Sequence, residues 1–504
     1  MNKTANPSFP FLNQIDIDQD VKQRLSYLLQ RTYNGDNEIL VSPIAKETDP
    51  KIILADLDKV FKANESIMNE NLLQLEAMNR EKFGPRSIAV PWLDRVKSLD
   101  ASFESDESDK KANYVLTPPR RNFLRPLTVS NSLKLLKNDT NSGLPYYTRK
   151  GKIKERVSEN FDELLKRRDP CILFTRTQEQ KKTRNVWGFP IADTLNEMRY
   201  YSPLLDYQKK LPYRSAINGP EYVSRHLTSI INNALRRDHK LISVDFSAYD
   251  TTVRSELQKI AFDYIKELYQ PQYRSEIQYI AERFNTIGII TPDGIKSGRH
   301  GVPSGSTFTN EVDSIVQASI ALSLKLVDPD DFDIQGDDGV YSVHPKKADL
   351  LLKGFEGAGL LPNRDKTYVG SDYLVYLQNL YDKFYEKDGL IGGIYPVYRA
   401  LNRIIYQERW SNFEDFDIRG KDYYSIRTIS ILENCKYHPL FKELVKVILK
   451  YDKYSLDFSD QGAANYVKFI SNTQGGGKFL EHQYGDDVSG IKSFATYKMI
   501  KELS

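Results

Sequence analysis

Two short segments of the chain place carboxylates where they could hold a divalent metal ion. The run Leu241–Phe246 has the composition of a short apolar strand that delivers Asp245, and Asp250 follows five residues later on the next turn. Farther along, Asp337 and Asp338 lie in a Gly-Asp-Asp-Gly turn between two β-like runs, which predicts a hairpin with adjacent carboxylates at its tip. Each segment alone also fits an ordinary turn or helix cap. Two strands that bring Asp245, Asp337 and Asp338 to one sheet edge could together hold a pair of Mg²⁺ ions about 3.5–4 Å apart.

A loop rich in glycine and hydroxyl groups lies between these two segments. It covers residues 297–310 and runs into a predicted helix whose apolar residues keep helical spacing as far as Val327. Such a loop would let a nucleotide or a strand approach the backbone closely. Three polar residues would share one face at the start of the helix: Thr309, Asn310 and Asp313. The alternative is that Ser304 or Ser306 simply caps the helix.

Other polar residues near these motifs have simpler interpretations. Three acidic residues are predicted to be solvated or to cap helices: Asp331, Asp333 and Asp349. His300 is predicted to be structural. A second Gly-Asp-Asp run, within Tyr484–Val488, has no apolar strand before it and no partner strand, so we interpret it as a loop.

The elements around these motifs divide the chain by composition. Residues 1–95 have helical patterning, with Ile52, Leu57, Val60 and Phe61 predicted on one buried face. The polar, acidic stretch Ala101–Ala112 is predicted to be a surface linker. Residues 125–385 mix short β-like runs with helices, whereas the chain from about residue 400 is mainly helical, apart from a glycine-rich loop over 475–490.

Composition excludes several classes of protein. The chain has 504 residues, 40% of them hydrophobic and 28% charged, which is typical of a folded globular protein and not of a disordered or collagen-like chain. No apolar run reaches the ~18 residues that a membrane span requires, so we expect no membrane association. The start lacks an apolar signal core, and two cysteines cannot build a disulfide framework or a cysteine zinc site.

Charge is concentrated in one part of the chain. The net charge is only +3, but residues 141–190 carry 12 Lys and Arg against 6 Asp and Glu. A basic segment in an otherwise balanced protein is more typical of the wall of an electrostatic channel than of a generally adhesive surface. An ordinary solvated charged face would have the same composition.

The order of the motifs resembles the palm of viral RNA-dependent RNA polymerases. It consists of Asp245-x4-Asp250, then Pro303-Ser304-Gly305-x3-Thr309, then Gly336-Asp337-Asp338. The residues of the second and third motifs are most similar to those of picobirnavirus polymerases, with partitivirus polymerases next. The resemblance covers residues 140–380. One position departs from the family pattern, which places Asn four residues after the Thr, where this chain has Asp313. Either Asn310 or Asp313 would therefore pair with Asp250.

Four further segments fit the same resemblance. The run Thr140–Pro145 is similar to the template-entrance motif, and Arg176–Trp187 to the basic loop of the fingers. The run Arg364–Thr367 resembles the palm segment that supplies a lysine, and Tyr376–Leu380 lies where the family has its primer-grip hairpin.

The resemblance implies nucleotidyl transfer by a two-metal mechanism, with Mg²⁺ as cofactor and Mn²⁺ as a substitute. The implied catalytic residues are Asp245, Asp337, Asp338 and Lys366, the first three as metal ligands and Lys366 as the proton donor to the leaving pyrophosphate. The implied NTP-binding residues are Arg176, Lys182, Arg184, Asp250, Ser304, Thr309, Asn310 and Asp313. The implied template contacts are Ser142, Gly143, Pro145 and Gly305. A carboxylate at Asp250 would recognise the ribose 2′-hydroxyl, so we expect RNA synthesis.

The implied fold is α+β: a right-hand polymerase with fingers, palm and thumb, an antiparallel palm sheet and a helical N-terminal extension. Residues 1–125 would bridge fingers and thumb, 126–236 and 252–300 would form the fingers, 237–251 and 301–385 the palm, and 386–504 the thumb with its C-terminal loop. Loop 475–490 could enter the cleft as an initiation platform.

The family also implies a biological setting. The enzyme would act as a monomer in the virion interior and the host cytoplasm, on a single-stranded RNA template and the nascent RNA. A viral capsid protein would be its partner, and initiation would be primer-independent, on a double-stranded RNA genome.

Two alternatives use the same residues. A reverse transcriptase shares this palm but would incorporate dNTPs and tolerate loss of the Asp250 carboxylate. A catalytically silent RNA-binding or capsid-anchoring protein could keep the fold, but retention of all three predicted metal ligands argues against it.

Overall fold

The computed structural model describes residues 9–103, 114–118, 123–474 and 488–503. Its α-helices are, in chain order, Gln19–Asn34 (α1), Pro43–Lys46 (α2), Pro50–Ala63 (α3), Glu70–Glu81 (α4), Val96–Asp100 (α5), Val129–Leu135 (α6), Lys154–Glu159 (α7), Phe161–Lys166 (α8), Ile191–Gln208 (α9), Pro220–Arg237 (α10), Tyr249–Thr252 (α11), Ser255–Leu268 (α12), Arg274–Thr286 (α13), Thr309–Ser323 (α14), Ala348–Gly357 (α15), Val397–Ile405 (α16), Gly420–Glu433 (α17), Phe441–Tyr451 (α18), Asp460–Gln474 (α19), Val488–Ser493 (α20) and Ala495–Leu503 (α21). Its strands are Cys171–Thr177 (β1), Thr183–Gly188 (β2), Lys240–Val244 (β3), Ile289–Thr291 (β4), Gly294–Lys296 (β5), Phe332–Gln335 (β6), Asp338–Val343 (β7), Tyr368–Gly370 (β8), Tyr373–Tyr376 (β9) and Asn379–Asp382 (β10).

The central sheet is antiparallel throughout, as the sequence predicts, with strand order β6-β7-β3-β8. Successive residues of β3 face opposite layers. Leu241 belongs to the core cluster that α10 covers, whereas Ile242 belongs to the cluster built around α14 and α12. Because helices cover both faces, the strands are short and mostly apolar on both sides, and the polar residues inside them, Ser243, Asp333 and Ser342, are buried.

Helix α14 is the buried axis of this half of the molecule. Every residue from Glu311 to Ala321 is buried. The predicted helix is confirmed but ends at Ser323, so Val327 packs in the core from the following loop. At its start, the Ser306 hydroxyl accepts a hydrogen bond from the Phe308 amide (3.0 Å), which satisfies a backbone donor before the first turn.

A second sheet and a hairpin flank the central sheet. The second sheet has strand order β2-β1-β4-β5, with β1 and β4 parallel and the other pairs antiparallel. The hairpin pairs β9 with β10 across a two-residue turn of Leu377 and Gln378, both at positive φ. This hairpin is the one that the sequence predicts near residues 376–380.

The N-terminal helices pack in two directions. Residues of α1, such as Leu25 and Leu29, share a core cluster with Ile172 of β1 and Ile290 of β4. Residues of α3 and α4, such as Leu57 and Leu72, share the large cluster of the C-terminal helices α16–α21. One sequence prediction is wrong here: Ile52 is 54% exposed, and Ile53 (0%) takes the buried position with Leu57 and Phe61. Asp49 caps the helix and Pro50 occupies its first turn. Ile53, Leu57 and Phe61 are spaced four residues apart, so they lie on the face that packs against the C-terminal helices.

Several predicted segments lie partly or wholly outside the described residues. The predicted linker Ala101–Ala112 is described only as far as residue 103, and the second Gly-Asp-Asp run lies outside except for Val488. The predicted loop 475–490 is likewise described only from residue 488, where α20 begins, so its last residues are helical. The mainly helical character beyond residue 400 is confirmed.

In the described part of the chain, the helices are too short or too polar to span a bilayer. Both cysteines are buried. The residue boundaries of fingers, palm, thumb and N-terminal extension stay a prediction.

Candidate active site

The predicted carboxylates meet at one end of the central sheet. Strands β3 and β7 pair with Val244 opposite Gly339, which sets Asp245, directly after β3, beside Asp338, at the start of β7. The β6–β7 hairpin turns through Gly336 and Asp337, with Gln335 opposite Asp338. Asp337 therefore lies at the tip of the hairpin, as the sequence predicts.

Glycine is required at the hairpin turn. Gly336 has φ +66°, a conformation that residues with a Cβ atom rarely adopt. Its amide donates to the Ser314 hydroxyl (2.8 Å), and its carbonyl accepts from the Gln317 side chain (2.9 Å). Two polar side chains of α14 thus fix the turn that carries Asp337.

The three carboxylates repel one another. Burial raises the pKa of Asp338 to about 7, and the charges of Asp337 and Asp245 contribute to the shift. Burial also raises the pKa of Asp245, together with the charge of Asp337. Asp245 and Asp337 are nevertheless exposed to solvent, and Asp338 is half-buried, so an ion could reach all three carboxylates. A bound cation would reduce the repulsion among these three carboxylates and stabilise their ionised forms.

The donor set has the chemistry of a magnesium site. Carboxylate oxygens are the ligands that Mg²⁺ prefers, and Asp245, Asp337 and Asp338 supply them from adjacent strands. Within the described residues, no three acidic, histidine or cysteine side chains converge as closely as an ion would require.

Residues 363–367 hold the backbone of Asp245. The Asn363 amide donates to the Asp245 carbonyl (2.7 Å), and the Asp245 amide donates to the Thr367 hydroxyl (3.4 Å). Lys366 lies within this segment, and its charge opposes the upward shift in the pKa of Asp245. The predicted lysine is thus electrostatically coupled to the predicted metal ligand.

Asp313, and not Asn310, pairs with Asp250. The two carboxyl groups are hydrogen-bonded, and burial raises the pKa of both, with their mutual repulsion adding to that of Asp313. A proton between them is what lets two acidic groups share a buried position. The Asp313 carbonyl also accepts from the Tyr249 hydroxyl (3.1 Å), which ties α14 to α11.

Asn310 has a structural partner instead. Its side-chain oxygen accepts from Arg214 (3.4 Å), which also donates to both oxygens of Glu311 (2.8 and 3.1 Å). Arg214 and Glu311 are each 1% exposed. This buried pair was not predicted; the only signal for it was a glutamate at the start of a helix with a buried apolar face.

A second buried group corrects a sequence prediction. Asp333 is fully buried and accepts hydrogen bonds from the Tyr376 hydroxyl (2.9 Å) and the Ser215 amide (3.3 Å). The prediction that it is solvated or capping is therefore wrong. It is wrong for Asp331 too, which is buried against Arg237, whereas Asp349 is exposed as predicted. Strand β6 is covered on both faces, which its short sequence does not reveal.

The predicted NTP-binding cations differ in whether an ion pair within the described residues already engages them. Burial lowers the pKa of Lys182, and the nearby charges of Arg184 and Lys366 lower it further. Arg184 also opposes the upward shift in the pKa of Asp250. The charges of Lys182 and Arg184 thus act on Asp245 and Asp250, respectively. Arg176, by contrast, forms an ion pair with Glu408 (3.4 Å).

The loop before α14 is packed against the second sheet. A Cβ atom on Gly305 would overlap the Trp187 carbonyl, so only glycine fits there. The Ser304 hydroxyl donates to the Asn185 carbonyl (3.3 Å), and the Thr309 hydroxyl donates to the Pro303 carbonyl (2.8 Å).

Glu197 of α9 anchors the same loop and was not predicted. Its carboxylate accepts from the Ser306 hydroxyl and from the Thr307 amide, both at 2.7 Å. It is 3% exposed, and burial raises its pKa to about 7. The sequence carries no signal for this contact, because Glu197 precedes the loop by more than a hundred residues.

The predicted template residues form a tight turn near β2. Ser142 is buried and donates to the Gly143 carbonyl (3.1 Å). Gly143 has φ +61° and packs against the Phe189 carbonyl, whereas Pro145 is half-buried. Ser142 and Gly143 shape the turn, and contact with template by this loop stays a prediction.

The sheet, the carboxylate-bearing hairpin and the flanking helix α14 define the palm of a template-directed nucleic-acid polymerase with the right-hand fold. The model of the viral RNA-dependent RNA polymerase family matches residues 98–448. The chain therefore belongs to the viral RNA-dependent RNA polymerases.

Two relatives agree with this assignment, and two solved structures have the same fold. The chain is 28% identical over 477 residues to a potential RNA-dependent RNA polymerase of Human picobirnavirus (strain Human/Thailand/Hy005102/-), covering 88% of this chain and 86% of the relative. It is 26% identical over 218 residues to an RNA-directed RNA polymerase of Cryptosporidium parvum virus 1 (strain KSU-1), covering 38% and 40%. The crystal structure of a human picobirnavirus RNA-dependent RNA polymerase has the same fold, with a TM-score of 0.79, 23% identity and 99% and 100% of the two chains covered. The crystal structure of an insertion-loop deletion mutant of the RNA-dependent RNA polymerase of a human picobirnavirus also has this fold, with a TM-score of 0.79, 24% identity and 99% and 100% of the two chains covered.

Proposed function

We propose that this RNA-dependent RNA polymerase joins nucleotides at the sheet edge formed by Asp245, Asp337 and Asp338, with two Mg²⁺ ions as cofactors and Mn²⁺ as a substitute. The observation that carries the proposal is the register of β3 and β7, which brings carboxylates from two separate motifs side by side. When bound, the ions would activate the 3′-hydroxyl of the growing strand and neutralise charge on the triphosphate.

The Asp250–Asp313 pair would select ribonucleotides. A protonated carboxyl beside an ionised one offers both a donor and an acceptor, which is what a ribose 2′-hydroxyl needs. A deoxyribose lacks this hydroxyl and would leave the buried pair without its hydrogen-bond partner, which disfavours binding of a dNTP. Ser304, Thr309 and Asn310 would then shape the nucleotide pocket through the contacts they make within the protein.

Lys182 and Arg184 would bind the triphosphate, since their charges act on Asp245 and Asp250 and they form no ion pair among the described residues. Lys366 would protonate the pyrophosphate as it leaves, because it sits next to Asp245 on a segment held by backbone hydrogen bonds. Arg176 would bind a phosphate only after its pair with Glu408 opens. The turn with Ser142, Gly143 and Pro145, together with Gly305, would guide the template strand.

The biological setting is proposed on the likeness to the picobirnavirus polymerase. The enzyme would replicate and transcribe a double-stranded RNA genome, start without a primer, and act as a monomer in the virion interior and the host cytoplasm. A viral capsid protein would be its partner.

The decisive experiment compares the wild-type chain with Asp337→Ala in NTP incorporation on a short single-stranded RNA, with Mg²⁺ and without primer. We expect template-length product from the wild type and a loss of at least about 100-fold in the variant, because the charge stabilisation at the reacting phosphate is removed. Chelation with EDTA should stop the reaction, and Mg²⁺ or Mn²⁺ should restore it.

Two outcomes would contradict the proposal. Equal activity of wild type and Asp337→Ala would exclude the carboxylate assignment. Efficient incorporation of dNTPs, unchanged in Asp250→Ala, would favour the reverse-transcriptase alternative. The control is Asp349→Ala, an exposed acidic residue whose loss should leave incorporation unchanged.

A further inference from the structure

A segment of the N-terminal region runs from the palm to the second sheet. We call residues 78–90 the crossing segment. At its start, Met78 lies against the palm, where its sulfur accepts from the Tyr368 hydroxyl (3.5 Å). Tyr368 begins β8, two residues after Lys366. The crossing segment thus starts beside the lysine that is coupled to Asp245.

The other end of the crossing segment reaches the basic loop between β1 and β2. The Val90 amide donates to the Thr183 hydroxyl (3.1 Å), and Thr183 directly follows Lys182. Before it, Arg86 forms an ion pair with Glu179 (2.9 Å). The crossing segment therefore spans the distance between Lys366 and Lys182.

Lys82 lies in the middle of the crossing segment, directly after α4. It follows Met78, which contacts Tyr368, by four residues and precedes Arg86, which pairs with Glu179, by four residues. The pKa of Asp245 is raised by burial, and Lys366, Lys182 and Lys82 all oppose the shift. The pKa of Lys182 is lowered by burial, by Arg184 and Lys366, and also by Lys82.

These cations lack partners in the described part of the chain. Lys82, Lys182, Arg184 and Lys366 form no ion pair with a carboxylate there, whereas neighbouring Arg86 and Arg176 do. Like charges that lie close together repel one another, and Asp245 offsets only part of this repulsion, because a single carboxylate lies near several cations. An anion bound among them would relieve the remaining repulsion. The group therefore has the charge and position of a site for a polyphosphate.

We propose that Lys82 is a phosphate-binding residue that the N-terminal region supplies to the active site. With Lys182, Arg184 and Lys366 it forms a four-cation group that holds the triphosphate of the incoming nucleotide and the departing pyrophosphate. This inference rests on the proposed function, because it places the reacting nucleotide at Asp245 and Asp337. It also gives the N-terminal region a part in substrate binding in addition to its packing role.

A purely structural role for Lys82 makes a different prediction. A lysine at the C-terminal end of α4 interacts favourably with the helix dipole. Its removal would then lower thermal stability slightly and leave nucleotide affinity unchanged.

The test compares Lys82→Ala and Lys82→Arg with a matched control, Lys62→Ala. Lys62 belongs to the same N-terminal region, is exposed at the end of α3 and has no ion pair in the described residues. We expect Lys82→Ala to raise KM for NTP about tenfold and to weaken pyrophosphate inhibition equally, as loss of a charge-assisted contact does. Lys82→Arg should stay within about threefold of wild type, because a cation is retained.

A second readout does not depend on catalysis. Inorganic tripolyphosphate is titrated into the full chain by calorimetry, and Lys82→Ala should bind it about tenfold more weakly than Lys62→Ala. If Lys82→Ala and Lys62→Ala have equal KM for NTP and equal affinity for tripolyphosphate, the proposal for Lys82 is overturned. RNA synthesis by the wild type would still stand in that case. Absence of synthesis by the wild type would overturn the proposed function, and the titration would still decide the role of Lys82. If Lys82→Ala melts below the control, Lys82→Gln replaces it in both measurements, since it keeps most of the side-chain stem.

Discussion

At the scale of single residues, two acidic side chains share a buried position beside the predicted metal ligands. The sequence left open whether Asn310 or Asp313 pairs with Asp250, and the structure assigns the pairing to Asp313. Asn310 is turned toward Arg214 by the buried ion pair with Glu311. A hydrogen bond between two acidic groups requires a shared proton. The side-chain amide of an Asn at position 313 could therefore replace the carboxyl group of Asp313 in this hydrogen bond.

We predict that Asp313→Asn and Asp313→Ala differ in selectivity. Asn keeps a donor to Asp250, so Asp313→Asn should retain the preference for NTP over dNTP within about threefold. Asp313→Ala removes the donor and leaves a buried carboxylate unpaired, and the preference should fall at least about tenfold. The measurement is the ratio of kcat/KM for a matched NTP and dNTP. Equal ratios in the two variants would contradict the assigned pairing.

At the scale of elements, the loop before α14 depends on a contact from a distant helix. Glu197 of α9 holds Ser306 and Thr307, while Gly305 packs on Trp187. The loop that would contact nucleotide and template is therefore positioned from two sides. Burial of the Glu197 carboxylate is unfavourable, which makes stability depend on its protonation.

We predict a pH-dependent difference between the wild type and Glu197→Gln. Burial raises the pKa of Glu197 from its usual 4.5 to about 7, so the folded chain binds a proton more readily than the unfolded chain. The wild type should therefore lose stability from this group as the pH rises from 4.5 to 7, and Glu197→Gln should not. The melting temperature of the variant relative to wild type should be higher at pH 8 than at pH 5. Glu159→Gln, an exposed control, should show no such trend.

Helix α3 offers a matched pair of isoleucines. Ile53 is 0% exposed in the cluster that joins the N-terminal region to the C-terminal helices, whereas its neighbour Ile52 is 54% exposed. We predict that Ile53→Ala lowers the free energy of unfolding by about 2–5 kcal/mol through lost burial and a cavity. Ile52→Ala should change it by no more than about 0.5 kcal/mol. Urea denaturation measures both, and the opposite order would restore the sequence prediction for this face.

At the scale of the whole molecule, the N-terminal region joins two parts of the fold. Helix α1 packs on the second sheet, and α3 and α4 pack on the C-terminal helices, with the crossing segment between them. The largely buried ion pair of Arg86 with Glu179 links the crossing segment to the loop between β1 and β2, and the more exposed pair of Arg176 with Glu408 links β1 to the segment after α16. Buried apolar area contributes most to such an interface, and surface ion pairs add about 0–1 kcal/mol each.

We predict that the chain stays assembled after cleavage between residues 104 and 112, the predicted surface linker. The buried contacts of residues 9–103 do not need the covalent link, so the two fragments should elute together in gel filtration after cleavage at an inserted protease site. Intact chain carrying the same insertion is the control. Separation of the fragments in buffer without denaturant would contradict the packing described for the N-terminal helices.

Some features of this protein follow from its sequence alone, because they are local. Strand β3, the β6–β7 hairpin, helix α12 and the glycine loop before α14 each have a pattern contained within a few neighbouring residues. The order of the carboxylate motifs was also sufficient to identify the polymerase family, which the family match confirms.

Only the tertiary structure decided the contacts between distant segments. The burial of Asp333, the anchoring of the loop by Glu197 and the pairing of Asp250 with Asp313 each join residues from different elements. The approach of Lys82 to Asp245 is of the same kind. Helical phase was also undetermined at Ile52 and Ile53, because both are apolar and only the packing partner selects which one is buried. Local patterns specify elements, whereas the environment of a charged side chain is set by whatever the folded chain brings against it.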